Sequence, residues 1–221
     1  MILRPLHDLR RDAALTWSYG GLREIKEALL NLAVYRLYRR RTGLLFEDDL
    51  TGLTQAPPPA GVEVRVLCDR DWASITGALT TRSLKRFGRQ MTPQNTCFIA
   101  WDGERLIGYT WLAESGAPVE ELPLPLPPDV TYGWDLWVDP RERRRGVGAA
   151  LVRARLAYGR ERGYPRAWRI VIDDNRPALR AIERGSGGAA RLLGKVVYVT
   201  ILGRPRARFE PETGRAPASS A

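Results

Sequence analysis

From Val62 onward, apolar and polar positions fall into short alternations and helical stripes that follow one another closely. Val62, Val64 and Val66 alternate with charged residues, which predicts a strand with one buried face. Asp71 to about Phe87 reads as a helix, with Asp69 or Asp71 as its cap. Thr96–Trp101 and Leu106–Ala113 read as two strands joined through Asp102-Gly103, a strong hairpin signal. Ser115–Asp129 is rich in proline and reads as a loop. Tyr132–Val138 is a further strand, stopped by Asp139-Pro140. A helix over Gly146 to about Arg162 follows, carrying Ala149, Leu151, Val152, Leu156 and Ala157. Ala167–Ile172 is a strand. Arg176–Arg184 is a short helix with Asn175 as cap and Pro177 in its first turn. Leu192–Leu202 is a terminal strand region.

This order, β-α-β-β-β-α-β-α-β, mixes hairpins with one strand–helix–strand crossover from Val138 to Ala167. It predicts an α/β domain over residues 61–203, with a mixed sheet and helices on both faces. The flanks read differently. Leu22, Ile25, Leu29, Leu32 and Leu37 recur at helical steps between Gly21 and Arg41, and Thr42-Gly43 stops that pattern. Leu44–Phe46 reads as a short strand. The prolines of residues 55–61 read as a linker. Residues 1–60 are thus expected to be a helical appendage, and residues 204–221, rich in Pro, Ala and Arg, a disordered tail.

Composition narrows the chemistry. The 221 residues are 44% hydrophobic, as in a globular core. The apolar runs are far shorter than the ~18 residues of a membrane span, and no apolar signal segment follows Met1, so cytoplasmic residence is the default expectation. Cys68 and Cys97 are the two cysteines and have neither metal-type nor redox-type spacing; His7 is the only histidine. A metal site or a Ser-His-Asp triad is therefore not expected. The net charge of +10 is carried mostly by arginine, with Lys26, Lys85 and Lys195 the only lysines. Such a balance suits anionic partners, and charge by itself does not choose among cofactor phosphates, nucleic acid and a membrane surface.

The segment from Leu136 to Leu151 chooses. A strand ends, a polar loop follows, and Arg143-Arg144-Arg145-Gly146-Val147-Gly148 opens a long helix. Free N–H groups at a helix start attract anions, glycines let a phosphate approach the backbone, and arginines add charge-assisted bonds. The third glycine of a dinucleotide fingerprint is absent, since Leu151 stands there, and no P-loop occurs in the chain.

What remains resembles the coenzyme A motif of the GNAT superfamily of N-acetyltransferases, Gln/Arg-x-x-Gly-x-Gly/Ala, matched by Arg143, Gly146 and Gly148. The preceding Val138-Asp139-Pro140 is also typical, and the element order is similar to the family fold from about Val62 to Leu202. The resemblance implies a three-layer α/β/α fold and acetyl-CoA as co-substrate, without a metal. It implies an amine acceptor (a small molecule, an amino sugar or a protein amine) that attacks the thioester directly. Leu136, Trp137 and Val138 would pair with the pantetheine arm, and an N–H near Trp137 or Val138 would face the thioester oxygen. Arg143, Arg144, Arg145, Gly146, Val147, Gly148 and Ala149 would hold the pyrophosphate. Asn175 and Ala178 match the second family motif, Asn-x-x-Ala-x-x-x-Tyr.

The catalytic groups depart from the family pattern. Some members carry a glutamate on the central strand; by spacing, that position here is Tyr132. Asp135 is the carboxylate within the strand and the candidate base, and it reads equally well as a hydrogen-bonded strand residue. The motif tyrosine position is Ile182, and Gly185-Ser186-Gly187-Gly188 replaces the usual Gly-Phe. Tyr132 or Tyr158 is left as a substitute acid. Trp134 and Trp137, three apart on a regular strand, are expected on opposite faces. Glu114, Glu120 and Glu121 could attract a cationic acceptor, although a solvated loop explains them as well. Three readings follow: an N-acetyltransferase; an acyl-CoA-binding sensor or scaffold without transfer; and, least supported by motif, a basic nucleic-acid-binding protein. A homodimer is compatible with all of them.

Overall fold

The computed structural model describes residues 38–53, 56–119, 121–186, 190–202 and 204–212. Its strands are β1 (Tyr38–Asp49), β2 (Val62–Val66), β3 (Asn95–Asp102), β4 (Arg105–Ala113), β5 (Val130–Val138), β6 (Arg166–Ile172), β7 (Ala190–Ile201) and β8 (Arg204–Pro211). Its helices are α1 (Trp72–Ala78), α2 (Thr81–Gln90), α3 (Val147–Glu161) and α4 (Arg176–Gly185). The strands form one mixed sheet in the order β2-β3-β4-β5-β6-β1-β7-β8. One face packs Ile107, Leu151, Val152, Leu156 and Val171 beneath α3 and α4. The other packs Ile75, Phe87, Tyr109 and Trp111 beneath α1 and α2, and Leu122 of the proline-rich loop against Tyr132 and Trp168. The mixed α/β sheet and the two helical layers agree with the expected fold.

Expectations for the flanks are corrected. The segment 38–49 is not part of an appendage: β1 lies inside the sheet, antiparallel to both β6 and β7. The expected helix up to Arg41 therefore gives way to strand from Tyr38; its earlier part lies outside the described residues. Gly43, read as a helix stop, is in mid-strand because Ile170 crosses it: a Cβ there would lie 2.4 Å from Ile170 Cγ2. Residues 204–211 are not disordered but form β8, at the sheet's edge, with Pro205 and Pro211 interrupting that edge.

The helix expected over residues 71–87 is two helices. Leu79 is extended, and Thr80 caps α2 by accepting a 3.2 Å bond from the Ser83 N–H. A cap in mid-stripe ends one helix and starts the next, which apolar periodicity does not register.

Candidate active site

β5 is paired on both sides for only part of its length. Towards β6 the parallel register runs from Val130↔Arg166 to Gly133↔Arg169 and then stops. Towards β4 the pairing continues to Gly108↔Val138. Beyond Gly133 the sheet thus forks, and residues 134–138 present a half-buried strand edge to the gap. A strand edge that its neighbour has left can take an added, peptide-like strand.

The β4–β5 register shifts between Tyr109 and Trp111, and Asp135 has φ 51°, in the left-handed region. This is a bulge, which inserts a residue and re-aims the side chains after it. Trp134 and Trp137 consequently lie on the same face, not opposite ones. Trp134 stacks on Trp111 with ring centroids 6.0 Å apart, and Trp137 on Tyr109 at 5.5 Å.

The bulge also turns Asp135 towards α2, where Arg86 Nη2 donates to its Oδ1 at 2.7 Å. The Asp135 side chain is 15% exposed. Burial raises its pKa above the ordinary carboxylate value, and Arg86 opposes that rise. Arg86 also reaches the Tyr109 hydroxyl, whose pKa is pushed up by burial. Behind them the Cys97 thiol is held protonated by burial and by the Asp135 charge. Arg86 and Tyr109 went unseen in the sequence because they come from other elements and meet Asp135 only across the fold. A cavity of about 630 Å³ opens on this face, lined by Val66, Cys68, Trp72, Met91, Cys97 and Trp111. Asp135 does not line it, but Cys97, which does, lies within the field of Asp135.

At the end of β5, Asp139 accepts a 2.9 Å bond from the Arg141 N–H and starts a short 3-10 turn. The buried Glu142 then binds Arg105 and Arg145. Arg145 also donates to Asp102 at 2.8 Å, so this arginine ties the turn to the β3–β4 hairpin rather than standing free for a phosphate. Arg143 and Arg144 are exposed and make no ion pair with a described residue. Arg144 and Gly146 have φ of 69° and 86°, and Gly146 is the N-cap of α3. Left-handed backbone just before a helix start is the kind of bend that lets N–H groups gather around an anion. Gly148 keeps the helix close to the fork: a Cβ there would lie 3.2 Å from Ala181 and 3.6 Å from Val138. Val147 and Ala149 are buried and offer only their backbone.

Other expected residues are placed less favourably. Asn175 caps α4, its Oδ1 accepting from the Ala178 N–H at 3.2 Å. Ile182 packs in the core with Val152, Leu156 and Val171. Tyr132 is wholly buried beside Leu45 and Trp168, which removes it from the groups that can meet a substrate. Tyr158 lies under β3, edge-on to Phe98 and bonded to Thr96, on the face opposite Asp135. No phenol therefore replaces the missing motif tyrosine at either expected position.

A sheet that forks beyond Gly133 and leads to a glycine-flanked helix start has the form that suits a ligand combining a peptide-like arm with a pyrophosphate. Coenzyme A thioesters have that form, and the residues present fit one. Residues 65–187 match the family model of the acetyltransferase (GNAT) family. The chain belongs to this family. A mycothiol acetyltransferase of Thermomonospora curvata is 28% identical over 216 residues, covering 89% of this chain and 67% of that protein. One of Geodermatophilus obscurus is 29% identical over 203 residues, covering 83% and 63%. The chain thus spans about two thirds of the length of these curated relatives. A GNAT-family acetyltransferase structure from Colwellia psychrerythraea shares the fold, with a TM-score of 0.53 and 12% identity over 86% of this chain and 62% of that one.

Proposed function

We propose that the chain is an N-acetyltransferase that moves an acetyl group from acetyl-CoA to an amine by direct attack. The observation that carries this reading is the fork at Gly133↔Arg169, open towards the turn at Gly146. Acetyl-CoA, when bound, supplies the activated acyl group. The edge of residues 134–138 aligns the pantetheine amides. The α3 N-terminus, helped by Arg143 and Arg144, holds the pyrophosphate. An N–H near Trp137 or Val138 stabilises charge on the thioester oxygen. Asp135 takes the amine's proton directly or through a water, and the raised pKa produced by burial suits a base. In the net exchange a C–N bond forms, the C–S bond breaks, and the thiolate takes up a proton.

The acceptor enters on the α1–α2 face, where the cavity beside Trp72 and Trp111 can hold an apolar body. The relatives' name makes an amine of the mycothiol type the first acceptor to test. Calorimetry with acetyl-CoA followed by thiol release with an amine panel tests the whole reading. No acetyl-CoA binding at tens of micromolar protein rejects it. A second reading, acyl-CoA binding without transfer, is favoured by Ile182 in the core and the sealed Tyr132. Thiol release above background with any amine rejects that one.

A further inference from the structure

Arg155 is a large, buried, charged side chain that the proposed chemistry leaves unused. It projects from α3 into the sheet and is 2% exposed. Its guanidinium lies directly against Gly133, where a Cβ would be 2.5 Å from Arg155 Cζ. Gly133 is also the last β5 residue paired with β6, so the guanidinium sits at the closed end of the fork. Its Nη1 donates to Thr110 Oγ1 at 2.8 Å, and Thr110 Oγ1 donates to the Trp134 carbonyl at 3.1 Å. Trp134 immediately precedes the bulged Asp135.

The other fully buried arginine, Arg169, has Asp48 beside it, and the half-buried Arg65 has Asp71. No described carboxylate pairs with Arg155, and its Nε has no hydrogen-bond partner among the described residues. Burial pushes its pKa down to about 10, which still leaves it charged at neutral pH. A buried charge without a counter-charge is strongly destabilising. A leucine or methionine would fill the same space without that cost, so packing does not account for a guanidinium here.

We propose that Arg155 is a positioning residue for the transfer step, holding the β5 bulge through Thr110 and keeping a positive charge beneath the fork. This rests on the acetyltransferase reading above. Negative charge that develops on the thioester oxygen at the fork then meets a cation fixed in a low-dielectric site. Such a cation acts without reorganising during the reaction. Arg86, on the opposite face, does not serve this purpose, because Asp135 already neutralises it.

The test is infrared difference spectroscopy of acetyl-CoA carrying a ¹³C carbonyl, bound to the full chain, alongside calorimetry and thermal unfolding. The bound carbonyl stretch is expected below that of free acetyl-CoA in the parent protein. Arg155→Lys is expected to keep most of that shift, and Arg155→Met to lose it while acetyl-CoA affinity stays within about threefold. With an active acceptor, kcat of Arg155→Met falls about 10²-fold while KM for acetyl-CoA barely moves. Arg155→Gln keeps a donor without the charge, and gives the same reading if Arg155→Met does not fold. An unchanged carbonyl frequency in a folded neutral variant overturns the proposal. Absence of acetyl-CoA binding to the parent protein instead overturns the acetyltransferase reading on which it rests.

Discussion

At the residue scale, Asp135 sits between two opposed influences. Burial raises its pKa and Arg86 lowers it, with burial the larger. If Asp135 takes the amine's proton, the rate rises with pH through a value above the ordinary aspartate range. Arg86→Gln removes the lowering influence and moves that limb further up, while Asp135→Asn lowers kcat about 10²-fold or more. The pH dependence of kcat/KM for the three proteins checks this; coincident limbs would exclude Asp135 as the titrating group. Asp71 provides the contrasting case. Arg65 Nη1 donates to its Oδ2 at 2.7 Å, and this bond is the largest cause holding the Asp71 pKa far below 3.8. A depressed carboxylate stabilises the fold above its unfolded pKa and loses that contribution as pH falls through the folded one. Asp71→Asn therefore lowers the denaturation midpoint at pH 7, and the difference from the parent shrinks in acid below about pH 4.

At the element scale, the turn into α3 divides its arginines by job. Arg145 is committed to Glu142 and Asp102, whereas Arg143 and Arg144 make no ion pair with a described residue. Arg143→Ala and Arg144→Ala are expected to weaken acetyl-CoA binding severalfold, less so at high salt. Arg145→Ala is expected to lower the melting temperature more than either. Calorimetry at two salt concentrations and thermal scans separate these effects. The spacing of Arg143, Gly146 and Gly148 was readable in the sequence because the turn's chemistry is local. The division of labour was not, because it depends on Asp102 arriving from the β3–β4 hairpin. The bulge shows the same limit: strict alternation puts Trp134 and Trp137 on opposite faces, and one inserted residue puts them on the same one. Arg155 did leave a trace, as a charge within the apolar stripe of Leu151, Val152 and Leu156.

At the scale of the whole molecule, β1 bridges β6 and β7, so the C-terminal strands join the sheet through a segment near the other end of the chain. Deleting the chain through Asp49 removes the common neighbour of β6 and β7 and is expected to abolish cooperative thermal unfolding. Removing residues after Ile201 takes away, among the described residues, the edge strand β8 and is expected to lower the melting temperature by a few degrees. Circular dichroism melts of the two truncations check this; a cooperative transition in the first would show that β1 is dispensable.

The order of strands from Val62 to Leu202, the hairpin at Asp102-Gly103 and the glycine turn that opens α3 were determined by the sequence itself. They follow from periodicity, turn residues and helix-end chemistry, which act over a few neighbouring residues. The place of β1, the fork, the bulge at Asp135 and the buried Arg155 were decided only by the tertiary structure. Each depends on contacts between residues distant in the chain, where packing and desolvation outweigh local preference.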